Sequence, residues 1–234
     1  MENLKIGIVI ADDMEYAPFA QMGGEEAPYF GRAGHKFTFK NESREITLWS
    51  VYCGIGKVNA AAAAMHLIDS GCNMILNAGL SGGIKDVARG ELVIGSRFIE
   101  HDFDLTALGF KKGVKPGQTY IYDADENLLE YFSELLSLGS GTLVTGDCFV
   151  SNEELKQQLI ADYSAAACDM ETAAIASVCH IANVPFCSIR RVSDDAGESA
   201  STAYRDMNEN EKFDLAELLM RGVKQMLKTN KFFC

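Results

Sequence analysis

Alternating strand and helix patterns predict an α/β protein, specifically a three-layer α/β/α sandwich in which helices cover both faces of a sheet. Short apolar runs typical of buried strands recur along the chain, and helical patterns follow them. Glycine-rich turns separate several of these pairs. Because the chain has no repeat, low-complexity tract or linker, we expect residues 1–234 to form a single domain.

Apolar periodicity and turn residues assign the elements in chain order. Strands are predicted at Lys5–Ile10, His35–Phe39, Ile46–Cys53, Met74–Ala78, Glu91–Glu100, Thr142–Val150 and Pro185–Val192. Six helices are predicted. The first begins near Tyr16, and the next two span Ala60–Ile68 and Glu126–Leu138. The fourth starts from a capping box at Ser151–Glu154, the fifth begins after Glu171, and the last spans Asp206–Leu227. The segment from Leu105 to Gly117 is predicted to be a loop.

Composition excludes several classes of function. Acidic residues outnumber basic ones by 33 to 21, and the net charge of −12 disfavours nucleic acid or an anionic membrane as partner. The seven cysteines contain no CxxC pair, which is typical of reduced thiols in a cytoplasmic protein. The first apolar run is too short for a signal sequence or a membrane span. Because the four histidines are scattered, we expect neither a metal nor an organic cofactor.

The stretch from Cys168 to Gly197 carries two carboxylates at the ends of neighbouring elements. Glu171 lies in the first turn of a predicted helix, where the partial positive charge of the N-terminus favours an anion. Asp194 follows the carboxyl end of a predicted strand, which is where open α/β sheets bind ligands. Glu15, after the first strand, is expected at the same edge. Each acid alone also has a structural interpretation, Glu171 as a helix-dipole partner and Asp194 as a loop cap.

Two glycine-rich segments, Gly54–Asn59 and Gly79–Gly83, each follow a predicted strand. A glycine turn that leads into a helix leaves backbone N–H groups free to bind an anion or the hydroxyls of a ribose. Such turns also serve tight packing, so the pattern by itself is compatible with either role.

Seven motifs extend the pattern across nearly the whole chain. In order they are LKIGIVIADDMEY, GIGKVNAAAAA, NAGLSGGI, HDFDLTALGF, VTGDCFV, DMETAAIA and PFCSIRRVSD. Together they resemble the nucleoside phosphorylase/nucleosidase family, and within it the bacterial 5′-methylthioadenosine/S-adenosylhomocysteine nucleosidases. The resemblance implies a mixed sheet flanked by helices, assembly as a homodimer, and hydrolysis of an N-ribosidic bond that frees adenine from a small-molecule nucleoside.

The resemblance also implies roles for the three acids. Asp194 matches the general acid that protonates purine N7, so that adenine leaves as a neutral group. Glu15 matches the residue that holds and activates the attacking water, and Glu171 matches the one that binds the ribose hydroxyls. An acid on one face of the sugar and a water-holding base on the other is the logic of an inverting glycosidase.

Further matched positions form the walls of the implied site. Phe149 matches the aromatic residue that stacks on the purine, Val150 the residue whose backbone pairs with the base edge, and Met170 a residue that packs on the ribose. Ser193 belongs to the same substrate-binding set. Arg190 matches a buried arginine beside the glutamates, for which a structural ion-pair role is at least as good an interpretation.

The implied pocket for the 5′-substituent is apolar. Its matched residues are Ile55 and Tyr204, together with Leu105, Leu108, Phe110 and Pro116, which a second subunit would contribute. Asp12 departs from the family, which usually has methionine there. A carboxylate beside a thioether loses hydration without gaining a hydrogen bond, so Asp12 predicts a preference for a polar or cationic 5′-substituent, or for plain adenosine. Leu80, Asp169 and Asp195 are further departures, and Asp195 is a candidate for raising the pKa of Asp194.

The choice of nucleophile is predicted from the same loops. Phosphorylases of this fold place an arginine in the loops that hold phosphate, whereas Lys57 is the only cation in Gly54–Asn59 and Asn77–Gly83. The pattern therefore favours water over phosphate. A phosphate-dependent purine nucleoside phosphorylase and a non-catalytic nucleoside-binding protein stay open as alternatives, and the presence of all three acids argues against the second.

Overall fold

The computed structural model describes residues 2–207 and 209–233, apart from the side chains of residues 209–213. Ten strands of this part of the chain form one sheet. They are β1 (Glu2–Ile10), β2 (Glu25–Glu26), β3 (Gly34–Lys40), β4 (Arg44–Tyr52), β5 (Met74–Gly83), β6 (Leu92–Glu100), β7 (Ile121–Asp123), β8 (Ser140–Thr145), β9 (Ala165–Asp169) and β10 (Phe186–Asp194).

Helices connect these strands and lie on both faces of the sheet. They are α1 (Asp13–Gln21), α2 (Lys57–Asp69), α3 (Glu126–Leu136), α4 (Glu153–Tyr163), α5 (Thr172–Ala182), α6 (Ala200–Arg205) and α7 (Glu209–Met226). Side chains of α1, α3 and α7 share one apolar core with the sheet, and those of α2 and α5 share another. The α/β sandwich with a central mixed sheet is therefore confirmed. In the part of the chain described here, no helix is long and apolar enough to cross a membrane.

The centre of the sheet is β5, which pairs with three other strands. It runs parallel to β1 and β10, and its end pairs antiparallel with β9, where Gly82 is opposite Cys168. Because β10, β6, β8 and β9 also pair in succession, these strands and β5 close into a ring. The carboxyl ends of β1, β4, β5 and β10 meet at one edge, since these strands are parallel, and the ring brings the end of β9 to the same edge.

The segment Gly79–Gly83 was predicted to be a loop, and this prediction is wrong. The segment continues β5, because its backbone is paired on both sides, with Arg190 opposite Gly79 and Cys168 opposite Gly82. Glycine is needed at position 79 because the side chains of Arg190 and Glu15 lie close to its backbone. A Cβ atom on Gly79 would lie 2.6 Å from a guanidinium nitrogen of Arg190 and 2.8 Å from Oε1 of Glu15.

Three further boundaries differ from the sequence prediction. The strand predicted to reach Val150 ends at Thr145, because the N–H of Asp147 donates to Asp102 Oδ2 at 2.9 Å and turns the chain out of the sheet. The cap of α4 is Asn152, which accepts from the N–H of Leu155 at 2.8 Å, rather than a capping box on Ser151. The closing helix predicted at Asp206–Leu227 is α7, which spans Glu209–Met226, and the short helix α6 before it was not predicted.

Candidate active site

A cavity of about 470 Å³ lies at the edge where the carboxyl ends of the strands meet. It joins the loops after β1, β4 and β8, the ends of β5, β9 and β10, and one side of α6. Its lining residues are Ala11, Asp12, Glu15, Ile55, Leu80, Ser81, Gly82, Cys148, Phe149, Val150, Cys168, Asp169, Met170, Glu171, Ser193, Asp194, Ser201, Tyr204 and Arg205. The structure thus brings together all three acids that the sequence singled out.

Glu15 enters the cavity from the first turn of α1. Its Oε1 accepts a hydrogen bond from the N–H of Leu80 at 2.6 Å, and its Oε2 accepts from the N–H of Asp12 at 3.2 Å. Burial raises the pKa of Glu15 to about 7, with Arg190 opposing the shift and Glu171 adding to it. A carboxyl group with this pKa is able to exchange a proton near neutral pH.

Glu171 is the residue that precedes α5 rather than a member of its first turn. Its Oε1 accepts from the N–H of Gly56 at 2.9 Å, which ties the glycine turn after β4 to the start of α5. Gly56 has a φ of +99°, a conformation that favours glycine and lets its N–H point toward the carboxylate. Burial raises the pKa of Glu171, and the nearby Arg190 opposes the shift.

Arg190 lies behind the cavity wall, where 1% of its surface is exposed. Its guanidinium is 3.5 Å from Glu171 Oε2 and 3.6 Å from Asp169 Oδ2. It also donates to Asn77 Oδ1 at 2.7 Å and to the hydroxyl of Thr172. The sequence prediction placed Arg190 among the substrate-binding residues; the structure gives it the position of a structural ion-pair partner instead.

Asp194 is the last residue of β10 and is 2% exposed. Its Oδ1 accepts from the N–H of Ala196 at 2.8 Å, and the hydroxyl of Ser193 lies 2.6 Å from its Oδ2. Burial is the largest influence on the pKa of Asp194 and raises it, whereas the hydrogen bonds from Ser193 and Ala196 lower it. The exposed Asp195 raises this pKa as well, as a smaller contribution.

The other predicted cavity residues divide into two groups. Phe149, Val150, Met170, Ile55, Ser193, Asp12 and Tyr204 line the cavity. The ring of Tyr204 meets that of Phe149 edge to face, with centroids 5.8 Å apart. Leu105, Leu108 and Phe110 lie in the loop between β6 and β7, outside this lining, and Leu108 is 70% exposed.

Asp12 has a structural role that the sequence prediction missed. Its carboxylate accepts from the N–H of Met14 at 2.8 Å, so that Asp12 caps the N-terminus of α1 in a capping box with Glu15. Replacing Asp12 by methionine would therefore remove a helix cap along with a charge. Asparagine removes the charge and retains the capping oxygen, which makes it the more informative substitution.

The structure adds residues that no sequence pattern indicated. Arg205 and Cys148 line the cavity. Asn77 on β5 and Thr172 on α5 accept hydrogen bonds from Arg190, and both are distant from it in sequence. Arg32, from the loop before β3, donates to the carbonyl oxygen of Cys53 and lies against Gly54. A cation is therefore present beside the first glycine turn after all, although Arg32 is outside the cavity lining.

The raised pKa of Glu15 predicts a measurable effect on stability. A carboxyl whose pKa is 4.5 when unfolded and about 7 when folded stabilises the folded state below the unfolded value. That stability is lost as the pH rises through about 7, and a shift of this size corresponds to about 3 kcal/mol. The unfolding free energy of Glu15→Gln relative to wild type should therefore rise by about 2.5 kcal/mol between about pH 5 and about pH 8.

Urea denaturation of the two proteins at both pH values measures this difference. Comparing two pH values cancels the constant cost of losing an acceptor for the N–H of Asp12. Glu130→Gln, on the exposed side of α3 where Lys231 is its partner, provides a matched control for which we expect a much smaller change. An equal response to pH in Glu15→Gln and wild type would contradict the shifted pKa.

Comparison with known proteins places this geometry in a family. The phosphorylase superfamily profile matches residues 5–224. An aminodeoxyfutalosine nucleosidase of Helicobacter pylori is 30% identical over 232 residues, covering 95% of this chain and 99% of the relative. A 5′-methylthioadenosine/S-adenosylhomocysteine nucleosidase of Bacillus subtilis is 33% identical over 198 residues, covering 81% and 85%.

A solved structure shows the same arrangement of the chain. A variant of a Helicobacter pylori 5′-methylthioadenosine/S-adenosylhomocysteine nucleosidase, crystallised with 5′-methylthioadenosine in its active site, superposes with a TM-score of 0.86. It is 28% identical, and the match covers 95% of this chain and 99% of that one. The chain belongs to the phosphorylase superfamily and is one of its nucleosidases, an N-ribosyl hydrolase.

Proposed function

We propose that this enzyme hydrolyses the N-ribosidic bond of adenine nucleosides and releases adenine and the free sugar. The substrates proposed are 5′-methylthioadenosine, S-adenosylhomocysteine, 5′-deoxyadenosine or a close relative. The observation that carries the proposal is the convergence of Glu15, Glu171 and Asp194 on one cavity, each with a pKa raised by burial. Buried acids with raised pKa values in a single cleft are typical of acid and base catalysts.

Asp194 is the proposed general acid. In its protonated form it gives a proton to purine N7 while the bond between C1′ and N9 breaks, and the electron pair of that bond stays with the purine. The hydroxyl of Ser193 lies 2.6 Å from Asp194 Oδ2 and 3.1 Å from the carbonyl oxygen of Ser81. Ser193 is thus able to donate to the ionised acid, and to donate to Ser81 when the acid is protonated.

Glu15 is the proposed base for the attacking water, and Glu171 the proposed partner of the ribose hydroxyls. As the bond to adenine breaks, positive charge develops on the ribose ring. Two carboxylates beside that ring stabilise this charge more than they stabilise the neutral nucleoside, which lowers the barrier. Arg190 keeps Glu171 in place from behind the wall, where its guanidinium lies 3.5 Å from the carboxylate.

The remaining positions hold the nucleoside in this proposal. Phe149, which is 45% exposed, stacks on the purine, the backbone of Val150 pairs with its edge, and Met170 packs on the ribose. Ile55 and Tyr204 border the 5′-substituent. All five residues line the cavity, which supports their assignment.

A homodimer is part of the proposal. Leu108 and Phe110 are 70% and 40% exposed, and Leu105 lies in the same loop outside the cavity. Exposed apolar side chains on a loop are well suited to cover a neighbouring subunit's pocket. We also propose a cytoplasmic location, supported by the buried free thiols of Cys53, Cys72, Cys168, Cys179 and Cys187.

Adenine release from a panel of nucleosides tests the proposal. The panel is methylthioadenosine, S-adenosylhomocysteine, 5′-deoxyadenosine and adenosine, with inosine as the control base, each with and without phosphate. We expect adenine from at least one 5′-substituted adenosine at a rate that phosphate does not change. A strict requirement for phosphate would make the enzyme a phosphorylase, and no release from any nucleoside would favour a binding protein.

A further inference from the structure

Two opposite charges lie at the solvent side of the cavity. The deep end holds Asp194 and Glu171, which are 2% and 4% exposed. Asp12 is partly buried and Arg205 is exposed, and both line the same cavity. Exposure therefore increases from the proposed acid toward Asp12 and Arg205, which places this pair where a 5′-substituent would extend from the ribose.

Tyr204 is a neighbour of both charged residues, Asp12 and Arg205. It precedes Arg205 on α6, and its ring contacts Phe149 in the cavity wall. Burial raises the pKa of Tyr204, and among the charged groups that add to this Asp12 comes first, ahead of Glu15, Glu171 and Asp194. The carboxylate of Asp12 is thus the acid whose charge acts most strongly on the tyrosine hydroxyl.

Within the part of the chain that the structure describes, both charges are available to a ligand. The carboxylate of Asp12 accepts hydrogen bonds from backbone groups, the N–H of Met14 and the N–H of Glu15. Among the side chains that the structure describes, neither Asp12 nor Arg205 has an oppositely charged partner within ion-pair distance. A carboxylate and a guanidinium that are close to one cavity and not paired with each other can each bind a charged group of opposite sign.

We propose that Asp12 and Arg205 form a subsite for a zwitterionic amino-acid group at the end of the 5′-substituent. The ammonium group binds Asp12, and the carboxylate binds the planar guanidinium of Arg205. Of the nucleosides proposed as substrates, S-adenosylhomocysteine carries such a group. This inference rests on the proposed function, and it names the substrate that the enzyme prefers.

The charge pattern discriminates between kinds of 5′-substituent. A neutral methylthio group makes no ion pair with either residue, and leaves Asp12 beside an apolar atom. An extension that ends in a carboxylate alone, such as the benzoate of aminodeoxyfutalosine, is attracted by Arg205 and repelled by Asp12. A zwitterion gains from both residues, so the pair favours it over either alternative.

The test is the ratio of kcat/KM for S-adenosylhomocysteine to kcat/KM for methylthioadenosine. We expect Asp12→Asn and Arg205→Gln each to lower this ratio by about fivefold, as expected for partly exposed ion pairs. Asparagine keeps the cap of α1, so Asp12→Asn should fold. Asp206→Asn and Arg221→Gln remove the same charges from exposed positions outside the cavity and should change the ratio by less than about twofold.

With a third nucleoside as substrate, removing the two charges should change kcat/KM in opposite directions. For aminodeoxyfutalosine, Asp12→Asn should raise kcat/KM and Arg205→Gln should lower it. Ratios that stay at the wild-type value in both variants, while adenine is still released, would overturn the subsite and leave the proposed function standing. No adenine release by wild type from any of the three nucleosides would instead contradict the proposed function itself.

Discussion

Asp194→Asn should lower kcat for adenine release by about 10³-fold, because it removes the proton that the proposed general acid transfers to purine N7. The amide retains the shape of the side chain and an oxygen to accept from the N–H of Ala196. Its NH₂ group is able to donate to the hydroxyl of Ser193, which in turn donates to the carbonyl of Ser81. The network therefore stays satisfied, so the fold should be retained, and steady-state kinetics with methylthioadenosine or S-adenosylhomocysteine measures the loss.

The neighbouring carboxylate provides the control. Asp195 is exposed and outside the cavity lining, so Asp195→Asn should keep kcat within about threefold of wild type, reflecting only its small contribution to the pKa of Asp194. Circular dichroism and thermal unfolding of both variants verify that they fold. Near-normal kcat in a folded Asp194→Asn enzyme would show that another group protonates the leaving purine.

Arg190→Met should lower the free energy of unfolding by about 3–5 kcal/mol, the cost typical of removing one partner from a buried ion pair. The change leaves the carboxylates of Glu171 and Asp169 without their cation. It also removes a donor to the carbonyl oxygen of Leu80 and one of the three donors to Asn77 Oδ1, in a buried region. Urea denaturation near neutral pH measures the loss.

The adjacent Arg191 is a matched control, because it is partly buried and donates to the carbonyl of Gly90 at 2.7 Å. Arg191→Met leaves no buried carboxylate without its cation, so it should lower the free energy of unfolding by about 1 kcal/mol. The two variants together separate the ion-pair network from the packing of a long side chain. Equal stability losses in Arg190→Met and Arg191→Met would contradict a network centred on Arg190.

The sequence was most informative where local chemistry and position coincide. Glu15 comes shortly after β1 and Asp194 is the last residue of β10, and parallel strands bring such positions to one edge of a sheet. Glu171 is found by the same reasoning, because a helix begins directly after it. The strands themselves were predictable, since β1, β4 and β10 are rich in β-branched and other apolar residues.

Other features depend on tertiary pairing that local patterns do not encode. Gly79–Gly83 has the composition of a turn, yet it is a strand because Arg190 and Cys168 face it from two other strands. The strand β9 is short and alanine-rich, which resembles a helix more than a strand. Arg205 has no motif around it, and only the packing of α6 against the cavity brings it to the site.

An arginine also lies beside the first glycine turn that the sequence of the turn does not contain. Loops that lack an arginine in sequence still acquire one in space, because Arg32 folds back onto Gly54. Its guanidinium donates to the carbonyl oxygen of Cys53, and Arg32 is outside the cavity lining. The number of arginines in the two loops is therefore weak evidence about the nucleophile, and the assignment to the hydrolases rests on the related nucleosidases.

Identification of the sugar product in phosphate-free and phosphate-containing buffer tests the central claim most directly. With S-adenosylhomocysteine or methylthioadenosine as substrate, we expect adenine and the free 5′-substituted ribose in both buffers, because water activated by Glu15 is the proposed nucleophile. Mass spectrometry of the sugar distinguishes this product from a sugar 1-phosphate. Formation of the 1-phosphate, with no turnover in its absence, would contradict hydrolysis as the reaction of this active site.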